Sequence, residues 1–281
     1  AIDYLLLGGQ SAGAVFANDE AIQSFVWALD ALAGDDADPR AWAVRDALGD
    51  VFATVGRYDD ALAQHAAVLA APGLAANAAW RAHRKSGNVL ERQGQYAAAL
   101  DALAQAISIV ESDAPGISPL ARSMVNADIG LVRWRRGEFD LAIAACEAGL
   151  RAVQDDPNSF DDEKTEARLH STLGAIKASR GDYAPARPHF ERSLSLHTLV
   201  DDLPGMVVSH NNLGYLWQLQ SEYERAIEPY RVAEEIAQRI NLRYALIFAN
   251  LNMAWALVSL SRYAEAETRS RTAMAPAQEI N

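Results

Sequence analysis

Apolar and polar positions along this 281-residue chain repeat with a helical period and not with a strand period. Runs of a few helical turns carry apolar side chains every three or four residues, as at Phe248, Leu251, Trp255 and Val258. Short breaks rich in Gly, Ser, Asp and Pro separate the runs. The pattern predicts helices in pairs, near 2–16 and 18–33, 39–55 and 57–71, 74–93 and 95–111, 118–136 and 138–154. It continues near 160–180 and 182–198, 204–220 and 222–239, and 242–260 and 262–278. Pro72-Gly73 and Pro115-Gly116 break the chain between pairs, and Asp35-Asp36-Ala37-Asp38-Pro39 reads as a turn and helix cap. Asp155-Asp156-Pro157-Asn158 is the longest polar connection, and Asp161-Asp162-Glu163 after it reads as helix-start chemistry. Pro188 and Pro229 fall beyond the first turn of their helices and Pro276 near the end of one, so bent helices are expected in the fifth and sixth pairs.

One short box recurs at the centre of each pair. It reads Gly56-Arg57-Tyr58-Asp59-Asp60-Ala61, Gly94-Gln95-Tyr96-Ala97-Ala98-Ala99 and Gly137-Glu138-Phe139-Asp140-Leu141-Ala142. Gly181-Asp182-Tyr183 through Ala186 follows, and Ser221-Glu222-Tyr223 through Ala226 and Ser261-Arg262-Tyr263 through Ala266 keep the box with Ser for Gly. Successive copies are 38, 43, 44, 40 and 40 residues apart. A period of this size marks a stacked repeat architecture. Gly or Ser ends the first helix where the backbone turns left-handed. The aromatic ring starts the second helix and fills the space between the two, and the Ala one turn on lets them touch. Asn18-Asp19-Glu20-Ala21-Ile22 is a worn first copy.

Composition narrows the function. Abundant Ala and Leu suit packed helices. A formal charge of -12 excludes a general nucleic-acid surface. One Cys precludes an internal disulfide framework and fits a reducing, cytoplasmic compartment. No apolar run reaches membrane-span length. No catalytic constellation, cofactor motif or metal spacing appears among His65, His83, His170, His189, His197 and His210. His65 and Cys146 fall on inward faces and read as a satisfied core histidine and a small buried hydrophobe. Trp27, Trp42, Trp80 and Trp217 read as hairpin packing. Gly8-Gly9-Gln10-Ser11-Ala12-Gly13 lacks the lysine and preceding strand of a phosphate loop, so close helix packing explains it.

The run from Asn212-Leu213-Gly214-Tyr215 through Ser221-Glu222-Tyr223-Glu224-Arg225-Ala226 to Tyr230 and Ala233 resembles the tetratricopeptide repeat. Leu48-Gly49, Ile129-Gly130 and Leu173-Gly174 keep its Leu-Gly step. The resemblance covers nearly the whole chain, although the family's usual unit is about 34 residues. Longer units are similar to the sensor and tail regions of bacterial signalling regulators. The resemblance implies an all-α, right-handed superhelical α-α solenoid of about seven hairpins, a single domain over 1–281 cut from a longer protein or processed. It implies a non-enzymatic binding function, with the first helix of each hairpin lining a concave groove. Arg81, Arg84, Asn88 and Arg92 share one helix face there. Arg84 and Asn88 resemble part of a carboxylate clamp, with Asp128 standing where the next repeat should offer Asn. Arg84→Glu is therefore expected to weaken an acidic partner without unfolding the stack. Arg168 adds charge, while Met124, Ala127, Leu131 and Trp134, then Val208, Asn211, Asn212, Tyr215 and Gln218, then Phe248, Leu251, Asn252, Trp255 and Val258 make the groove increasingly apolar. The expected partner is a protein or peptide segment, with no nucleic acid, no membrane and no cofactor. A small-molecule sensor with an enclosed pocket and a homodimer through terminal hairpins are the alternatives.

Overall fold

The structure, a computed structural model, describes residues 2–14, 17–32, 34, 38–112, 114–154 and 163–278. Val15 and Phe16, Asp35 and Asp36, and the connection from Asp155 through Asp162 lie outside the described residues. Fourteen helices and no strand are present among the described residues. They are α1 (Ile2–Ala14), α2 (Asn18–Ala31), α3 (Pro39–Thr54), α4 (Tyr58–Leu69), α5 (Ala76–Arg92), α6 (Tyr96–Val110) and α7 (Leu120–Arg135). Then follow α8 (Phe139–Gln154), α9 (Glu163–Ser179), α10 (Tyr183–Leu199), α11 (Leu203–Leu219), α12 (Tyr223–Arg239), α13 (Arg243–Ser259) and α14 (Tyr263–Gln278). The chain forms two compact units, residues 1–138 and 139–281, which divide at the elbow of the fourth expected hairpin. α10 and α12 run unbroken through Pro188 and Pro229.

The elbows follow the left-handed chemistry that the boxes imply. Gly56, Gly94, Gly137 and Gly181 have φ between 74° and 83°, and Ser221 and Ser261 take φ of 61° and 60°. Gly94, Gly137, Gly181, Ser221 and Ser261 each close their helix with a paired capping motif. At the end of α5, the N–H of Gly94 donates to the Glu91 carbonyl at 2.9 Å and that of Gln95 to the Leu90 carbonyl at 2.9 Å. The turns between hairpins in the second unit reuse the device with Asp201 (φ 49°) and Asn241 (φ 53°). Asp38 caps α3, its Oδ1 accepting from the Arg40 N–H at 2.8 Å, with Pro39 in the first turn.

Inside a hairpin, the glycine of the first helix receives a side chain sixteen residues later. A Cβ on Gly9 would stand 2.5 Å from the Phe25 ring, and one on Gly87 2.7 Å from Leu103. One on Gly174 would stand 2.7 Å from Phe190, and one on Gly214 2.6 Å from Tyr230. The Gly9 contact fits close helix packing at that position, whereas a Cβ on Gly8 would meet nothing within 4 Å. His65 occupies the same position opposite Gly49. Tyr230 is fully buried, and its hydroxyl donates to Gln218 Oε1 at 2.9 Å. This contact draws Gln218 off the open face expected for it.

A buried polar network ties α12, α13 and α14 together. Glu234, 6% exposed, accepts from Arg269 at 2.6 Å and from Asn250 at 3.2 Å. Paired and hydrogen-bonded in this way, its carboxylate is compensated for burial.

Candidate functional site

Successive first helices touch within each unit: α1, α3, α5 and α7 in one, and α9, α11 and α13 in the other. Each unit therefore has a face lined by first helices, and every predicted site residue belongs to one of these helices.

In the first unit this face is a set of answered charges. Arg84 Nε lies 2.5 Å from Asp128 Oδ2, which reaches across from α7, and Asp128 is only 1% exposed. Lys85 Nζ bridges Asp46 Oδ2 at 2.7 Å and Asp50 Oδ2 at 2.6 Å, both on α3. Arg92 donates to the Ala53 carbonyl at 3.1 Å. Arg135 meets Glu91 at 3.3 Å, and its guanidinium also lies 5.2 Å from the centre of the Trp134 ring. Arg81 is exposed, with its guanidinium 5.7 Å from the Trp80 ring centre, and Asn88 is half-buried. The fork of Arg84 is thus engaged by the chain's own carboxylate, and Arg84→Glu would set two carboxylates against each other in a buried contact. That substitution perturbs folding before it reports on binding. The sequence reading missed Lys85, Asp46 and Asp50. The available signal was the charge pattern compared one repeat apart, since Lys85 follows Asp46 by about one period.

A cleft of about 670 Å³ opens beside this cluster, lined in part by Gly9, Gly13, Trp42, Asp46, Asp50 and Arg81. A smaller one of about 220 Å³ lies between Asp50, His65, Lys85, Asn88 and Arg92. His65 is 1% exposed, and neither ring nitrogen has a hydrogen-bond partner among the described residues, contrary to the satisfied histidine expected. Burial, reinforced by the nearby Lys85 ammonium, pushes its pKa down to about 4, so the ring is neutral. Burial, aided by Glu147, pushes the Cys146 thiol up to about 12, in keeping with a hydrophobe. Trp80 is buried as expected, but Trp27 is 54% exposed. Two residues beyond the core residue Phe25, it falls on the opposite side of α2.

The second unit presents a different face. Val208 and Tyr215 on α11, and Phe248, Leu251 and Trp255 on α13, are all more than 40% exposed. Beneath them runs a ladder of amides. Asn212 Nδ2 donates to Ser171 Oγ at 3.0 Å, and Asn252 Nδ2 donates to Asn211 Oδ1 at 3.0 Å. Arg168 lies half-buried on α9 at the edge of this face. The structure therefore brings together Asn211, Asn212, Tyr215, Asn252 and Trp255. Trp134 lies on α7 of the first unit, where Ala127 is buried and Met124, Leu131 and Trp134 are half-covered.

Repeat equivalence separates an open face from an uncovered end. Phe248 and Trp255 stand 40 residues after Val208 and Tyr215. α11 has a following hairpin packed on it, yet Val208 and Tyr215 remain 53% and 41% exposed. Exposure at these positions belongs to the face itself. Val258 differs, because its equivalent Gln218 is buried.

Fourteen helices among the described residues, with six Gly or Ser elbows at a period near 40 residues, define an α-α helical-repeat protein of the solenoid type. Two sequence models described as Tetratricopeptide repeat match residues 47–114 and 165–239, between them half of the chain. The chain belongs to the tetratricopeptide repeat family. No curated protein matches its sequence significantly. Among solved structures it is similar to the apo form of RapI, at 13% identity and TM-score 0.71, with 99% of this chain and 98% of that chain covered. It is also similar to a Rap protein complexed with Competence and Sporulation Factor, at 11% identity and TM-score 0.68, with 98% and 76% covered. Aspartyl phosphate phosphatase F from Bacillus subtilis matches at 14% identity and TM-score 0.64, with 99% and 75% covered. These likenesses show the fold. Among the described residues, no helix is long and apolar enough to cross a membrane. No group of three His, Cys, Asp or Glu side chains there could hold a metal ion.

Proposed function

We propose that the chain is a protein-binding module whose second unit holds a segment of another protein on its first-helix face. We further propose that it serves as the sensor or scaffold arm of a bacterial signalling protein in the cytoplasm. One observation carries the reading: five large apolar side chains stand exposed together on α11 and α13, and two of them, Val208 and Tyr215, stay open although another hairpin follows. Monomers seldom leave such a contiguous patch in water, because covering it returns about 25 cal/mol per Å². The Rap protein of similar fold complexed with Competence and Sporulation Factor supports a signalling role by analogy of fold. The test is photo-crosslinking from a benzophenone amino acid placed at Phe248, in cells of the source organism, with Trp27, which is more exposed, as the control. A discrete adduct from position 248 alone supports the reading, and the same adducts from both positions refute it. A small-ligand sensor is favoured by a different observation, the 670 Å³ cleft, whose size suits an organic ligand. Ala47 also lines that cleft, and ligand protection that Ala47→Trp abolishes would distinguish it.

A further inference from the structure

The large apolar side chains exposed on the open face of α13 are Tyr244, Phe248, Leu251 and Trp255. Their spacing is four, three, four, which is the heptad seam of a helix that packs against another helix. The seam spans three turns, about 17 Å at 1.5 Å per residue. Val208 and Tyr215 on α11, one heptad apart, flank it. Tyr244 and Phe248 already pack together with their rings tilted, centroids 4.5 Å apart, so part of the surface is ordered in advance.

Charge and hydrogen bonding decide what fits. α11 has no Asp, Glu, Lys or Arg, and α13 has only Arg243. In a chain of net charge -12, this is an acid-free strip that asks for an apolar, uncharged contact surface. An extended peptide would bring a backbone N–H or C=O needing a partner at nearly every residue. The amides suited to meet them each already hold one bond within the fold: Asn212 donates to Ser171 and Asn252 to Asn211. A helix satisfies its own backbone and needs only the apolar strip.

We propose that α11 and α13 form a docking face for one amphipathic helix of a partner protein, with aliphatic or aromatic residues at its heptad a and d positions and no charge among them. This rests on the reading that the first-helix face of the second unit is the binding surface, and it names the form of the bound segment.

The test uses the whole chain and two fluorescein-labelled 18-residue peptides of identical composition. One places Leu at heptad a and d positions, and the other alternates Leu with polar residues. Anisotropy measures affinity and circular dichroism measures helix gained on binding. The heptad peptide is expected to bind at least tenfold more tightly, to gain helicity, and to lose at least tenfold in affinity with Phe248→Glu or Trp255→Glu. Both positions are exposed, so circular dichroism of the variants alone should match the parent. Preferential binding of the alternating peptide, sensitive to the same variants, overturns the helix while leaving the binding face standing. Binding of neither peptide overturns the helix, and retained crosslinks from position 248 would then show that the face itself still binds. Self-association in light scattering that Trp255→Glu abolishes overturns it in favour of a second copy of the chain.

Discussion

The pairing of Arg84 with Asp128 sets the stability of the first unit's face in a way that mutation can read. Asp128 is 1% exposed and the Arg84 side chain 14%, with 2.5 Å between Nε and Oδ2. Removing one partner of such a pair strands the other charge in a desolvated place, at a cost of about 3–5 kcal/mol. Replacing both by apolar groups of similar volume removes the desolvation penalty together with the attraction, and is often neutral. Arg84→Met keeps the aliphatic stem, and Asp128→Leu keeps the approximate volume. Urea unfolding of the parent, both single variants and the double variant forms a closed cycle. We expect each single variant to lose about 3–5 kcal/mol and the double variant to return to within about 1 kcal/mol of the parent. Single losses below about 1 kcal/mol, or losses that simply add, would refute the argument that this is a buried, mutually dependent pair.

The other predictions concern the hairpin's internal joints. Gly214→Ala, which in an open helix gains about 1 kcal/mol, should instead destabilise by about 1–3 kcal/mol because the new methyl meets the Tyr230 ring. A raised melting temperature would sink the contact. Ser221→Gly should stabilise by about 1 kcal/mol, since φ of 61° burdens any residue with a Cβ; thermal melting decides, and a loss would contradict the elbow geometry. With its pKa lowered from 6.5 to about 4, His65 favours the folded state at pH 7. It should withdraw about 3 kcal/mol as pH falls from 6.5 toward 4, because the unfolded chain takes up the proton first. His65→Leu should flatten that dependence in urea midpoints measured at pH 7 and pH 4.5, and an unchanged slope would remove His65 as its source.

Element positions were legible because the box repeats. A glycine or serine, an aromatic two residues on and an alanine three further fix both the elbow and its phase, so Gly94 and Gly181 located their turns almost to the residue. The apolar strip on α11 and α13 was legible for the same reason, since period 3.6 names a face once the phase is known. The ion pairs were less so. Arg84 reads as a free guanidinium along its own helix, and the carboxylate that answers it lies 44 residues away. Asn211 and Asn252 likewise read as open amides until neighbouring helices are laid side by side. A helix stripe describes one cylinder, whereas charge compensation and amide pairing are properties of two. Trp27 escaped because its box is the most worn, which left the phase of α2 uncertain.

Among the described residues, every helix contact within a unit joins elements no more than two apart in chain order. No strand pairing or distant closure has to be conserved when the number of hairpins changes. Loss or duplication of a whole period, such as the 40 residues from Ser221 to Ser261, rejoins surfaces of the kind already present. Array length is therefore a quantity that unequal recombination can alter in single steps, while a partner's footprint is revised a few side chains at a time.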